Sequence, residues 1–280
     1  MTTMAKLRTG LIGANIGKTR YPAALQIMCD DAGIDLEFSL IDTAGQTHFS
    51  FDEAARNLIA KDWSGVGVTH PYKLQAARFS GNGMHPDIRH LSACNLLTFH
   101  RGTVGHNTDY AGFLSAWLHE MGDRKPGVVA MAGAGGVAHA LGPALVQLGA
   151  EQIHLWDPDG LRAEDLAGRI GKRAHVVSQD AIRDIVENAN GLVNATAFGM
   201  EKTPGSSIPL AWIGKQGWAF DAVYTPTDTL FLAMAKAAGL QTLSGFALFK
   251  HMAMASFEAY TGIKADRQTT LAKLDVLRPE

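Results

Sequence analysis

The stretch Val128–Ala138, VVAMAGAGGVA, joins an apolar, β-prone run to a cluster of small residues. Gly133, Gly135 and Ala138 stand at the three marked positions of the G-x-G-x-x-[G/A] order of a dinucleotide-binding βα turn. The chemistry of such a turn is phosphate binding. Gly133 can take a tight turn off the strand, where a Cβ would clash. Gly135 lets the backbone approach a pyrophosphate, and Ala138 lets the next helix pack close to the strand. Gly133-Ala134-Gly135-Gly136-Val137-Ala138 would then lead into a helix N-terminus with free N–H groups and a partial positive charge. Thirty glycines in 280 residues make one such string easy to meet by chance, so its surroundings matter. The next strand-like run, Gln152–Trp156, ends in Asp157, roughly 20 residues on, where a carboxylate accepts from a ribose 2′-OH in NAD-type sites. Asp157-Pro158-Asp159-Gly160 also reads as a turn, and the two readings are compatible.

Three polar strings in the first half stand at the ends of expected strands. Thr69-His70-Pro71-Tyr72-Lys73 follows Gly65–Val68, Ala93-Cys94-Asn95 precedes a hairpin, and Asn107-Thr108-Asp109 follows it. Ligands of open α/β sheets lie outside the C-terminal strand ends. The strings offer an amine, a carboxylate, two amides and hydroxyls. Singly, each has a plainer reading: Lys73 as a solvated charge, Asp109 as a helix cap, Asn95 as a turn residue, His70 and His106 as satisfied interior histidines. The eleven histidines show no HExxH spacing, so no metal site is expected. No Ser-His-Asp or paired-carboxylate arrangement is equally well placed for hydrolysis.

The elements that must position these residues alternate strand and helix, the pattern of parallel α/β structure. Strands are expected at Thr9–Gly13, Leu36–Ile41, Gly65–Thr69, and in a hairpin of Leu96–His100 and Thr103–His106 around Arg101-Gly102. Helices are expected at Pro22–Ala32, with Pro22 in the first turn, at Asp52–Lys61 opened by an Asp cap, and from Thr108 or Asp109 to about residue 121. The stretch Gly122–Gly127, polar and carrying Pro and Gly, reads as the best domain boundary in the chain. Beyond it, strands are expected at Val128–Ala132, Gln152–Trp156, Val176–Val177, Gly191–Asn194, Gly217–Asp221 and Gln241–Leu243. The helices between them span Val137–Leu148, Arg162–Arg169, Ala181–Ala189 and Thr229–Ala238, and a long apolar helix, Gly245–Tyr260, follows. No internal repeat or low-complexity tract is present.

The length fits two domains of about 100–200 residues each. The composition, 46% hydrophobic and 19% charged, is that of a globular protein. A formal net charge of −2 gives no basis for a nucleic-acid or anionic-membrane partner. Cys29 and Cys94 cannot build a disulfide framework, so a reducing compartment is expected. The first residues, MTTMAKLRTGLIG, lack the long apolar core of a secretory leader, and no window approaches the ~18 apolar residues of a membrane span. Cytoplasmic location is the expectation.

Taken in order along nearly the whole chain, the strings resemble the shikimate dehydrogenase family, including its quinate/shikimate branch. The likeness covers Gly10-Leu11-Ile12-Gly13, Thr19-Arg20-Tyr21-Pro22, Val68 through Lys73, Ala93-Cys94-Asn95 and Gly105 through Asp109. It continues through Gly133-Ala134-Gly135-Gly136, Asn194-Ala195-Thr196, Asp221-Ala222-Val223-Tyr224-Thr225-Pro226 and Ser244-Gly245. The resemblance implies an α/β fold of two domains. A substrate-binding and catalytic domain would span 1–107 and a Rossmann dinucleotide-binding domain 108–244, with helices at 245–280 packing back on the first. It implies reversible oxidation of a ring hydroxyl to a ketone on a small cyclic hydroxy-carboxylate, with nicotinamide taking the hydride. Lys73 and Asp109 match the family's pair beside the reacting hydroxyl. A group within hydrogen-bond reach must take that hydroxyl's proton. Burial lowers a lysine's pKa and a neighbouring carboxylate raises it, so Lys73, Asp109 or the coupled pair could be the base. Asn95, Asn107 and Thr69 match residues that hold ring hydroxyls, and Tyr224 one that borders the substrate. Asn194, Thr196, Val223 and Gly245 join the glycine turn and Asp157 as cofactor-binding positions.

Departures from the family pattern mark a divergent member. The S-x-S of the carboxylate pocket falls on Thr19 and Tyr21. A glutamine expected seven residues after Gly245 falls on Met252, which cannot donate amide hydrogen bonds. The NADP-using branch shows an Asn-Arg-Thr-like string where this chain has Asp157-Pro158-Asp159. A carboxylate there would accept from a 2′-OH and repel a 2′-phosphate, so NAD is expected over NADP. The expected partners are the small hydroxy-carboxylate and, at most, a second copy of the chain. Two other readings remain: a ligand-binding or regulatory protein on the same scaffold with weak or no turnover, and a dehydrogenase of an unrelated small substrate.

Overall fold

A computed structural model describes residues 6–91 and 93–279; the leading residues 1–5, part of the stretch considered for a secretory leader, lie outside it. β1 runs Lys6–Gly13, starting before the expected Thr9, because Lys6, Leu7 and Arg8 pair in register with Asp35, Leu36 and Glu37 of β2 (Asp35–Asp42). Between them α1 (Tyr21–Ala32) carries Pro22 in its first turn and ends at Gly33, whose φ of 66° suits glycine. α2 (Phe51–Ala60) is capped by Ser50, whose hydroxyl accepts from the Glu53 amide; the Asp cap expected at residue 52 instead lies in the first turn. β3 (Gly65–Val68) leads to α3 (Lys73–Ser80), a helix the sequence reading did not foresee. The expected hairpin forms from β4 (Leu96–Thr98) and β5 (Val104–His106). These strands make a five-stranded sheet, β2-β1-β3-β4-β5, parallel across β2, β1 and β3 and antiparallel through the hairpin.

α4 (Thr108–Glu120) precedes the second sheet. That sheet's elements are β6 (Val128–Ala132), α5 (Ala138–Gln147), β7 (Gln152–Trp156), α6 (Gly160–Ile170), β8 (Ala174–Val176) and α7 (Ile182–Asn188). They continue with β9 (Gly191–Asn194), β10 (Trp218–Asp221), α8 (Leu230–Ala237) and β11 (Gln241–Ser244). α6 starts before the expected Arg162 because the Asp159 carboxylate caps the amides of Leu161 and Arg162, and Thr229 caps α8 rather than opening it. The order β11-β10-β9-β6-β7-β8 is parallel throughout. It is the doubly wound dinucleotide-binding arrangement, with its switch point between β6 and β9. α9 (Gly245–Thr261) follows, then α10 (Arg267–Leu274), for which the sequence pattern gave no bounds.

The described residues form two compact units. One contains the chain up to Thr108 together with Met252–Leu277, the other Asp109–His251 with Arg278 and Pro279. In the first, Leu7, Ile12, Leu25, Leu96 and Leu97 are fully buried, and Lys273 of α10 pairs with Asp31 of α1. In the second, Ala130, Leu192, Ala219 and Phe231 form one apolar cluster. Trp218 lies on Gly191, where any Cβ would fall 1.8 Å from its ring, and meets Trp117 edge-on at 4.7 Å. Full burial of side chains of this size contributes about 1.5–3 kcal/mol each. Among the described residues no helix is long and apolar enough to cross a membrane, and no group of three or more His, Cys, Asp or Glu could hold a metal ion.

Candidate active site

Backbone hydrogen bonds gather the first unit's polar strings at one sheet edge. The Thr69 amide donates to Ile12 O at 2.9 Å, and Val68 N to Asn95 O at 2.8 Å. Cys94 N donates to Lys73 O and Asn95 N to His106 O, both at 3.0 Å. Antiparallel β4 starts where parallel β3 ends, so Asn95 is delivered beside Thr69, and β5 brings Asn107 back to the same edge. Gly13 makes room: a Cβ there would fall 2.2 Å from the Thr69 methyl. Lys73 is the first residue of α3 and Asp109 lies in the first turn of α4. Asn107 donates its side-chain amide to Ala93 O at 2.9 Å. Asn95 Oδ1 accepts from the Thr108 amide at 2.6 Å. Burial pushes the Cys94 thiol up to about 12, so it stays protonated beside this cluster. Burial and the nearby His85 hold His106 down at about 4, keeping it neutral against Thr98.

Thr19 and Tyr21 part company. The half-buried Thr19 hydroxyl accepts from the Tyr21 amide at 3.3 Å. The Tyr21 ring turns into the core, 5% exposed and edge-on to Phe38. Of the two hydroxyls expected at the carboxylate pocket, that of Thr19 is the more accessible. Met252 is half-buried one turn before Ser256, with its sulfur 3.7 Å from Ser256 Oγ.

In the second unit the glycine turn has the shape its sequence implies. Gly133 has φ 97°, and a Cβ there would meet Ala195 O and Thr196 Cγ2 at 2.8 Å. A Cβ on Gly135 would meet nothing within 4 Å, so that face of the turn is open. Val137 precedes α5 without a side-chain cap, and buried Ala138 opens the helix. An open glycine face beside an uncapped helix N-terminus fits a pyrophosphate. The Asp157 carboxylate ties the turn together, accepting from Ala134 N at 2.8 Å and Asp159 N at 2.9 Å.

Behind the ends of β9 and β10 lies a buried polar network. Asn194, fully buried, donates to Phe198 O and Asp221 and accepts from Thr196 N, Thr196 Oγ1 and Ser207 Oγ. Its side chain is engaged inside the protein, where it shapes the 195–200 loop. Asp221 accepts from Asn194, from Val223 N and from Thr229 Oγ1, and burial pushes its carboxyl up to about 6. Val223 is buried, and Tyr224 stacks on Phe249 at 5.5 Å. A Cβ at Gly245 would fall 2.5 Å from the carbonyls of Ala222 and Val223, so glycine lets the start of α9 close on that loop. The sequence reading missed Asp221, Thr229 and Ser256 as site-shaping residues. Only Asp221 carried a signal, as the polar end of an apolar strand.

Fold and motifs together define a two-unit α/β oxidoreductase class with a dinucleotide-binding sheet. The family model described as the shikimate dehydrogenase substrate binding domain matches residues 11–97. The quinate/shikimate dehydrogenase (NAD(+)) of Corynebacterium glutamicum (strain R) is 34% identical over 269 residues, 92% of this chain and 94% of that protein. The shikimate dehydrogenase (NADP(+)) of Streptomyces avermitilis is 31% identical over 276 residues, 95% of this chain and 94% of that protein. The solved quinate dehydrogenase from Corynebacterium glutamicum in complex with NAD superposes with a TM-score of 0.90 at 28% identity, covering 97% of this chain and 99% of that one. The chain belongs to the shikimate dehydrogenase family.

Proposed function

We propose that this chain is an NAD-dependent dehydrogenase interconverting a ring hydroxyl and a ketone on shikimate, quinate or a related cyclic hydroxy acid. What supports it is the delivery of Thr69, Lys73, Asn95 and Asn107 to one sheet edge by backbone hydrogen bonds, in a chain that also carries an open glycine turn. Residues 1–107 are assigned as the substrate-binding domain and 108–244 as the dinucleotide-binding domain, with Asp109 and Tyr224 as substrate-side residues of the latter. The nicotinamide, when bound, supplies the acceptor or donor of the hydride. Lys73, Asp109 or the two coupled take the hydroxyl proton during oxidation and return it during reduction. Asn95, Asn107 and Thr69 hold the ring hydroxyls, Thr19 the carboxylate, and Tyr224 borders the ring. The glycine turn and α5 hold the pyrophosphate.

NAD over NADP is supported by the charge around Asp157. Asp157 and Asp159 both carry carboxylates at the end of β7, and a 2′-phosphate there would be repelled by them. The test mixes purified protein with NAD and shikimate, quinate or aminoshikimate at about pH 8–9, where the low proton concentration draws the reaction toward the ketone. NADH should appear with at least one acid and faster with NAD than with NADP. Thermal stabilisation by an acid without any NADH would overturn the enzymatic reading.

A further inference from the structure

Asn95 has its amide oxygen already engaged. The Thr108 N–H can only donate, so the atom 2.6 Å from it must be Oδ1, and the side chain's two N–H donors are the end left for a ligand. Thr108 Oγ1 lies 3.2 Å from the same oxygen and 3.1 Å from Ser256 Oγ on α9. Ser256 Oγ also lies 2.9 Å from Met252 O, one turn earlier on that helix. The chain of groups is shielded: Asn95 is 8% exposed, Thr108 3% and Ser256 1%. Two proton arrangements can be drawn. Ser256 donates to Thr108 and Thr108 to Asn95, or Thr108 donates to Ser256 and Ser256 to Met252 O. Only the first puts a proton between Thr108 Oγ1 and Asn95 Oδ1; the second leaves those two oxygens 3.2 Å apart with none between them, so the first is favoured, and in it Ser256 orients the Thr108 hydroxyl and Thr108 holds the Asn95 amide.

We propose that Ser256 is a positioning and specificity-determining residue, acting through Thr108 to hold Asn95 as a pure donor. The site then selects, at that point, a ligand atom with lone pairs and no need to donate: a keto oxygen, or a hydroxyl whose proton goes elsewhere. Met252 brings no amide to this wall, so Asn95 carries more of the ring recognition than it would beside a glutamine. The inference rests on the proposed cyclic hydroxy-acid site and deepens it.

The test is a double-mutant cycle of Ser256→Ala and Asn95→Ala, read by calorimetric titration with shikimate and quinate and by steady-state kinetics. Ser256→Ala alone should raise the acid's Kd and KM about 3- to 10-fold, the effect of one buried hydrogen bond, with kcat and the KM for NAD changed much less. Added to Asn95→Ala, it should have no further effect. Ser256→Cys, of similar size with a weaker donor, should fall between wild type and Ser256→Ala. An equal loss in both backgrounds, or an unchanged Kd in Ser256→Ala, overturns the positioning role while leaving the dehydrogenase reading intact. Failure of the wild type to bind either acid overturns both.

Discussion

Asp157 does two jobs that a single substitution can separate. Its carboxylate holds the Ala134 and Asp159 amides, and it brings negative charge to the end of β7. Asp157→Asn removes the charge and keeps one acceptor oxygen, for Ala134 N, at the cost of the hydrogen bond from Asp159 N. The ratio of kcat/KM for NAD over NADP should fall about tenfold, the loss of one charge-assisted hydrogen bond. An unchanged ratio refutes the assignment of cofactor choice to this residue. Asp157 was legible in the sequence because a carboxylate closing the second strand after a glycine turn has a physical reason to be there. Asn194 was legible only as a position. Likeness of motif says which residue stands at a strand end, not which way its amide faces, and here it faces inward to five partners. Ser256 carried no signal at all, since a serine on an apolar helix becomes meaningful only when β5 and α4 bring Thr108 to it.

The glycine turn yields a paired prediction at the scale of the element. Gly133→Ala forces a side chain onto φ 97° and to within 2.8 Å of the Ala195 carbonyl. It should destabilise the protein by about 1–3 kcal/mol and weaken NAD binding as well. Gly135→Ala adds a methyl in open space, so thermal unfolding should stay close to wild type while the KM for NAD rises. Melting curves and cofactor titrations of the two variants decide it; loss of stability in both would mean that the turn's glycines serve packing alone. Strands were the most legible elements, because both sheets' parallel strands read as short apolar runs. α3 and α10 were not. KLQAARFS buries only Ala76 and Ser80, and RQTTLAKL carries two threonines, so neither shows the broad apolar stripe by which a surface helix is recognised. α2 was legible, but its cap was displaced, because Ser50 stands where its hydroxyl reaches the Glu53 amide.

At the scale of the whole molecule, the half-buried His106 and the buried Asp221 pull the pH dependence of stability in opposite directions. His106 is held near 4 against an ordinary 6.5, so its contribution is present above pH 6.5 and lost as pH falls through about 4. Asp221 is raised to about 6 from 3.8, so its contribution is present below pH 3.8 and lost as pH rises through about 6. Between these values the two slopes offset each other. Asp221→Asn removes one of them, and stability should then rise more steeply with pH across this window, by up to about 1.4 kcal/mol per pH unit beyond wild type. Urea titrations at several pH values read the slope whatever the variant's absolute stability, and parallel curves for wild type and variant would contradict the placement of Asp221. The parallel α/β character was legible from the alternation of elements, and the two domains from the length and the resemblance. The antiparallel return that sets Asn95 beside Thr69 could be drawn only as a hairpin, since its register against β3 is a non-local pairing.

The proton transfer assigned to Lys73 and Asp109 is tested most directly by the turnover of Lys73→Ala against wild type, with NAD and whichever cyclic acid the wild type oxidises. With the acid's Kd kept within a few-fold, kcat should fall by about 10²–10⁴. A variant that binds the acid and still turns over at close to the wild-type rate would contradict the mechanism.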